Sequence, residues 1–141
     1  MRSFKSKKEV FEYIKNKYSE AETILIKGST AKGKLKEFSD IDIEFYQDKP
    51  TKPEYEIVLV DKKLALITAY PYKAGKKINK IPENVLVLKG EYCEQIENQK
   101  EYTEKERAIR DNQMFLDFLF KYLRTKDKKY LETVDKYARV E

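Results

Sequence analysis

From Asp40 to Tyr46 the chain alternates without a break, with Ile41, Ile43 and Phe45 on one side and Asp40, Asp42, Glu44 and Tyr46 on the other. A period of two is that of a β-strand with one buried face. This strand must find apolar cover on one side and present two neighbouring aspartates on the other. The segment before it is equally restrictive. Thr23 to Lys27 is a short β-rich run that stops at Gly28-Ser29, ten residues ahead of the paired acids. A strand, a glycine-serine turn and a half-buried acidic strand predict a sheet with a polar working face.

Each residue type in this stretch has a physical use. Gly28 lacks a Cβ, which permits unusual dihedrals and a close backbone approach to a phosphate. Ser29 adds a hydroxyl and a neighbouring N–H. Residues 30–37 read as a short helix or a tight loop, and a helix would point its first N–H groups at the same anion. Lys27, Lys32, Lys34 and Lys36 precede any acid up to Glu37, which gives the turn a local positive field. Asp40 and Asp42, at i and i+2, project from one face about 7 Å apart. Carboxylates so placed repel one another unless a cation lies between them, and two magnesium ions about 3.5–4 Å apart satisfy them. The plainer reading is a solvated strand edge, against which the correctly spaced Gly-Ser turn argues.

A site of this kind needs a third carboxylate from a neighbouring strand. Glu56 is the first choice, because it is an acid inside the apolar run Tyr55–Val60 and would need a cation or a donor beside it. Glu44 competes because it shares the face of Asp40 and Asp42. Asp61 is accounted for by a hairpin turn.

Composition narrows the chemistry further. The 141 residues suit one domain with a single core. There is no histidine, which removes His-based general-base catalysis and His-ligated zinc or iron. The one cysteine, Cys93, can form neither an internal disulfide nor a thiolate metal site. Any bound metal must then be a hard cation held by oxygen: magnesium, manganese or calcium. The net charge of +5 admits nucleic acid as a partner, but a solvated Lys/Glu surface explains it at least as well. No run is long and apolar enough for a membrane span, and the N-terminal stretch lacks a signal core, so a cytoplasmic protein is expected.

Along the chain, Ser6 and Glu9 form a capping-box pattern that opens a helix over about 7–18, with Val10, Phe11, Ile14 and Tyr18 on one face. A Pro- and Lys-containing connection over residues 47–53 leads to two apolar runs, Tyr55–Val60 and Leu64–Tyr70. These predict a hairpin buried on both faces. Residues 71–83 read as loop and Asn84–Leu88 as a strand. A second capping box, Thr103 with Glu106, opens a helix through Met114, Phe115, Leu119 and Leu123, and a last amphipathic helix carries Tyr130, Leu131, Val134 and Tyr137. The order predicts an α/β (α+β) domain: a mixed sheet covered by helices on one face, with a core over about 7–90 and a C-terminal helical part over about 100–139. Residues 114–123 are apolar nearly all round, which suggests a buried helix or a homodimer contact.

Two motifs here, Gly28-Ser29-Thr30-Ala31-Lys32-Gly33 and Ser39-Asp40-Ile41-Asp42-Ile43, resemble the signature of the minimal nucleotidyltransferases of the DNA polymerase β-like superfamily. The resemblance covers roughly residues 22–70. It implies the nucleotidyltransferase fold and transfer of NMP from an NTP, ATP foremost, to an acceptor with release of pyrophosphate. Asp40, Asp42 and Glu56 would bind two Mg²⁺ ions, or Mn²⁺, and Glu56 would help deprotonate the acceptor. Gly28 and Ser29 would hold the triphosphate, aided by Lys32 where the family often carries Arg. Lys27 departs from the apolar residue usual before Gly-Ser, and Glu56 from the more common Asp. The resemblance also implies two alternatives. One is an antitoxin-like member of a two-protein module that binds or adenylylates a small helical partner. The other is an inactive member that binds nucleotide or nucleic acid.

Overall fold

The structure is a computed structural model and describes residues 1–49, 52–73, 75–96 and 103–138. Its elements in chain order are β1 (Ser3–Phe4), α1 (Lys7–Lys17), β2 (Thr23–Lys27), β3 (Ser39–Tyr46), β4 (Glu54–Val60), β5 (Lys63–Tyr72), β6 (Gly75–Lys77), β7 (Val85–Lys89), β8 (Cys93–Gln95), α2 (Glu104–Thr125) and α3 (Lys129–Ala138). Six strands form a mixed sheet in the order β1-β4-β5-β3-β2-β7, and β6 pairs with β8 in a small second sheet. β3 runs parallel to β5, and β2 is antiparallel to β3. The acidic strand therefore lies in the interior of the sheet, with paired backbone on both sides.

The alternation of β3 decides the layers. Ile41, Ile43 and Phe45 are fully buried beneath α1, whose Val10, Phe11 and Ile14 meet them together with Ile24 and Ile26 of β2 and Val58 and Val60 of β4. Each such side chain contributes about 1.5–3 kcal/mol on burial. The Tyr18 ring stacks on Phe45 at 4.4 Å and closes one end of this layer. Ser6 caps α1 by accepting from the Glu9 N–H, while the Glu9 carboxylate accepts from the backbone N–H of Lys5, one residue before the cap.

The opposite face is divided. At one end Leu25, Tyr46, Val85, Tyr92 and Cys93 form a second apolar cluster. At the other end α2 lies over the Asp40–Asp42 surface. Thr103 and Glu106 start α2 with a reciprocal capping box. The fully buried Gln113 ties α2 to the sheet by donating to the Glu54 carbonyl at 2.7 Å. Phe120 packs edge-on against Phe38 at 5.9 Å, and Phe118 meets Tyr130 of α3 at 6.0 Å. The apolar stretch 114–123 is thus half-buried between the sheet and α3.

The hairpin between β4 and β5 forms around Asp61 and Lys62, both in the left-handed region at φ 49° and 65°, the twist that a two-residue hairpin turn requires. β5 is buried through its centre, whereas much of β4 is only half-buried, because just the two-residue β1 covers its outer edge. The sequence held no signal for three short strands: β1, β6 within the stretch over 71–83 that reads as loop, and its partner β8. Of the Pro- and Lys-containing connection after β3, residues 50 and 51 lie outside the described residues, as does residue 74.

Candidate active site

The Gly-Ser segment between β2 and β3 is a series of tight turns, which settles the choice left open over residues 30–37. Gly28 sits at φ +88°, and a Cβ there would lie 3.6 Å from Asp42 Oδ2, so the turn passes directly against the carboxylate. The Gly33 N–H donates to the Ser29 carbonyl at 3.0 Å, and a Cβ on Gly33 would come within 2.5 Å of that oxygen. The turn is anchored from two directions. The Thr30 hydroxyl donates to the Asp40 carbonyl at 2.7 Å, and Lys7 Nζ at the start of α1 donates to the carbonyls of Thr30 and Gly33 at 3.2 and 2.8 Å. Ser29 and Lys32 are exposed on it.

Asp40 and Asp42 project from the polar face of β3, with Asp42 in register with Lys27 of β2 and Thr68 of β5. The Thr68 hydroxyl donates to Asp42 Oδ1 at 2.7 Å. The third acid beside them is Asp117 of α2. Asp40, Asp42 and Asp117 each offer a carboxylate oxygen within 4.8 Å of the others. Burial and crowding raise the proton affinity of Asp42 and Asp117. The Asp42 carboxyl is pushed up to about 7, first by burial and next by the charge of Asp40, with the Thr68 bond opposing. Asp117 is also raised, first by burial, while the ammonium of Lys121 pulls it down and Asp40 pushes it up. Lys121 Nζ lies 3.2 Å from Asp117 Oδ2, and Arg124 Nη1 lies 3.3 Å from Asp40 Oδ1.

The donor set fits a hard divalent cation. It is made of oxygen only, and three carboxylates are brought within a few ångströms of one another. Asp117 Oδ1 is buried with no hydrogen-bond partner among the described residues. Such an orphan is costly in a folded protein, and a cation would satisfy it. Beside Asp42 opens a cavity of about 340 Å³ lined by Lys27, Glu44, Tyr70, Arg110 and Asp117, among others.

Glu56, the expected third carboxylate, is not brought to this cluster. On β4 it is in register with Ile67, whose face is that of Ile41 and α1, so it points to the opposite side of the sheet from Asp42. There it accepts from the Tyr13 hydroxyl at 2.6 Å and pairs with Arg2 Nε at 2.9 Å and Lys17 Nζ at 3.7 Å. The requirement for a donor beside a half-buried acid is met by protein groups. Glu44 does share the face of Asp42, but its carboxylate is held by Lys27 at 2.9 Å and by the Tyr46 hydroxyl at 2.9 Å. Lys27 therefore lies on the carboxylate face with an anionic partner of its own. Asp61 stays in its exposed turn.

Asp117 lies in a helix, where the strand alternation that marks Asp40 and Asp42 gives no sign of it. The signal was nevertheless present: an acid inside Met114–Phe120, the same anomaly that singled out Glu56.

No helix among the described residues is long and apolar enough to cross a membrane. No curated protein matches the chain. The nucleotidyltransferase domain family matches it over residues 7–116, from the first residue of α1 to the residue before Asp117. That span takes in the Gly-Ser turn, both strand aspartates and the whole mixed sheet apart from β1. The six-stranded mixed sheet with its flanking helices is consistent with the nucleotidyltransferase fold. The chain belongs to the nucleotidyltransferase domain family.

Proposed function

We propose that this protein transfers a nucleoside monophosphate from an NTP, ATP foremost, to an acceptor hydroxyl with release of pyrophosphate. The observation that carries the reading is the convergence of Asp40, Asp42 and Asp117 within 4.8 Å beside the Gly28 turn. These three acids would hold Mg²⁺, or Mn²⁺, with Asp117 in the place first expected for Glu56. A divalent cation there supplies Lewis-acid stabilisation of the charge that develops on the α-phosphate. The protein's own groups do the rest. The backbone of Gly28 and Ser29 receives the triphosphate, and Lys32 adds a positive charge at its edge. Thr68 holds Asp42 in one rotamer by its hydrogen bond, so that the carboxylate faces the turn. Lys7 and Thr30 fix the turn against α1 and β3, which keeps its N–H groups at a constant distance from the acids. The cavity lined by Asp42 and Asp117 offers an acceptor room to approach the α-phosphate.

The test is pyrophosphate release from ATP, CTP, GTP and UTP with Mg²⁺, using the wild type and Asp40→Asn, Asp42→Asn and Asp117→Asn. Release that depends on all three acids supports the reading. Release that persists in the strand variants removes it. Labelled ATP followed into protein or small-molecule fractions would then identify the acceptor.

A further inference from the structure

Asp117, Lys121 and Arg124 occupy positions i, i+4 and i+7 of α2, so a single stripe brings one carboxylate and two cations to the acidic cluster. Lys121 sits on Asp117 and Arg124 on Asp40. All three residues lie just beyond the span matched by the family, 7–116. Arg124 makes a second contact that is independent of any carboxylate: its Nη1 donates to the Phe38 carbonyl at 2.9 Å. Phe38 is itself in the left-handed region at φ 63° and immediately precedes β3.

A guanidinium and a divalent cation cannot share Asp40 Oδ1 without strong repulsion in a half-buried site. A cation that takes this oxygen therefore displaces Arg124 from it. The Phe38 bond would keep the released group nearby, two residues before Asp40, whose carbonyl accepts from the Thr30 hydroxyl of the turn. A guanidinium fork matches phosphate oxygens as well as it matches carboxylates.

On the reading of the site as a metal–nucleotide centre, we propose that Arg124, with Lys121 beside it, is an exchangeable counter-ion. It neutralises the acids before the metal and nucleotide arrive and moves to the triphosphate when they bind. The exchange makes Arg124 a competitor of the free metal and a ligand of the metal-bound nucleotide. Its removal should move the two affinities in opposite directions, which loss of a purely structural contact would not do.

Calorimetry on the full chain tests this with two probes: Mn²⁺ alone, and an ATP analogue with a non-hydrolysable α–β bridge in the presence of Mg²⁺. Arg124→Gln should bind Mn²⁺ about three- to tenfold more tightly and the analogue about tenfold more weakly. Lys121→Gln should show the same pair of signs with smaller size. Arg124→Lys keeps the charge but loses the fork, so Mn²⁺ affinity should stay near wild type while analogue affinity falls. It also carries the test if Arg124→Gln lacks a cooperative melt. Parallel weakening of both probes, or no change in either, would overturn the exchange while leaving the site reading intact. A wild-type protein that binds neither probe would overturn both.

Discussion

Asp117 of α2 and Asp42 of β3 place carboxylate oxygens within 4.8 Å of each other, although one belongs to the sheet and the other to the helix laid over it. Helix α2 is thus part of the site. Its register on the sheet, set by Gln113 and Phe120, determines whether the third acid reaches the other two.

Removing Asp117 should therefore act on chemistry more than on stability. Asp117→Asn is expected to lower Mg²⁺-dependent pyrophosphate release by about a hundredfold or more, the scale of losing one ligand from a metal-assisted phosphoryl transfer. Thermal melting without metal should hold or rise, because the change relieves like-charge crowding. Initial rates and a melting curve on the same preparation check both parts.

The raised carboxyl of Asp42 predicts an inverted pH dependence of stability. A carboxyl whose folded value, about 7, lies above the ordinary one binds its proton more tightly in the folded state. Its favourable contribution is complete below about pH 4 and is lost as pH rises through 7. Asp117 is shifted in the same direction. Without divalent cation, this pair should lower the melting temperature between pH 5 and pH 8 by about 5 °C or more, a trend that Asp42→Asn would flatten. Added Mg²⁺ should raise the melting temperature more at pH 8 than at pH 5. Melts across this range with and without Mg²⁺ decide the matter.

The Gly-Ser turn should be intolerant at both glycines. At Gly28 the left-handed φ and the proximity of Asp42 make Gly28→Ala cost about 1–2 kcal/mol and disturb the carboxylate. At Gly33 a methyl group would collide with the Ser29 carbonyl. Gly33→Ala should raise KM for the nucleotide more than it lowers kcat. Steady-state kinetics on each variant distinguish the two outcomes.

Lys7 offers a milder probe of the same turn. Its ammonium holds two turn carbonyls from the first residue of α1. Lys7→Met should raise KM for the nucleotide severalfold with a stability change of about 1 kcal/mol or less. An unchanged KM would show that the turn keeps its shape without this tether.

Much of this was legible in the sequence because it rests on local rules. The alternation over residues 40–46, the N-cap at Ser6, the capping box at Thr103 and the glycine that ends β2 each reflect a constraint within a few residues. The partner of the two strand aspartates was not local. An acid in an apolar strand and an acid in an apolar helix look alike along the chain, and only the register of β4 on β5 turns Glu56 toward Arg2, Tyr13 and Lys17. Short pairings such as β1 with β4 and β6 with β8 are fixed by the strands they meet, and two or three residues carry too little pattern to announce them.

Mg²⁺-dependent pyrophosphate release by Asp117→Asn and Glu56→Gln, measured side by side, tests the central claim most directly. Glu56→Gln should lose about 1 kcal/mol of stability through its ion pairs and hydrogen bond while keeping its turnover. Asp117→Asn should keep its stability and lose its turnover. Turnover that survives in Asp117→Asn and disappears in a folded Glu56→Gln would contradict the account.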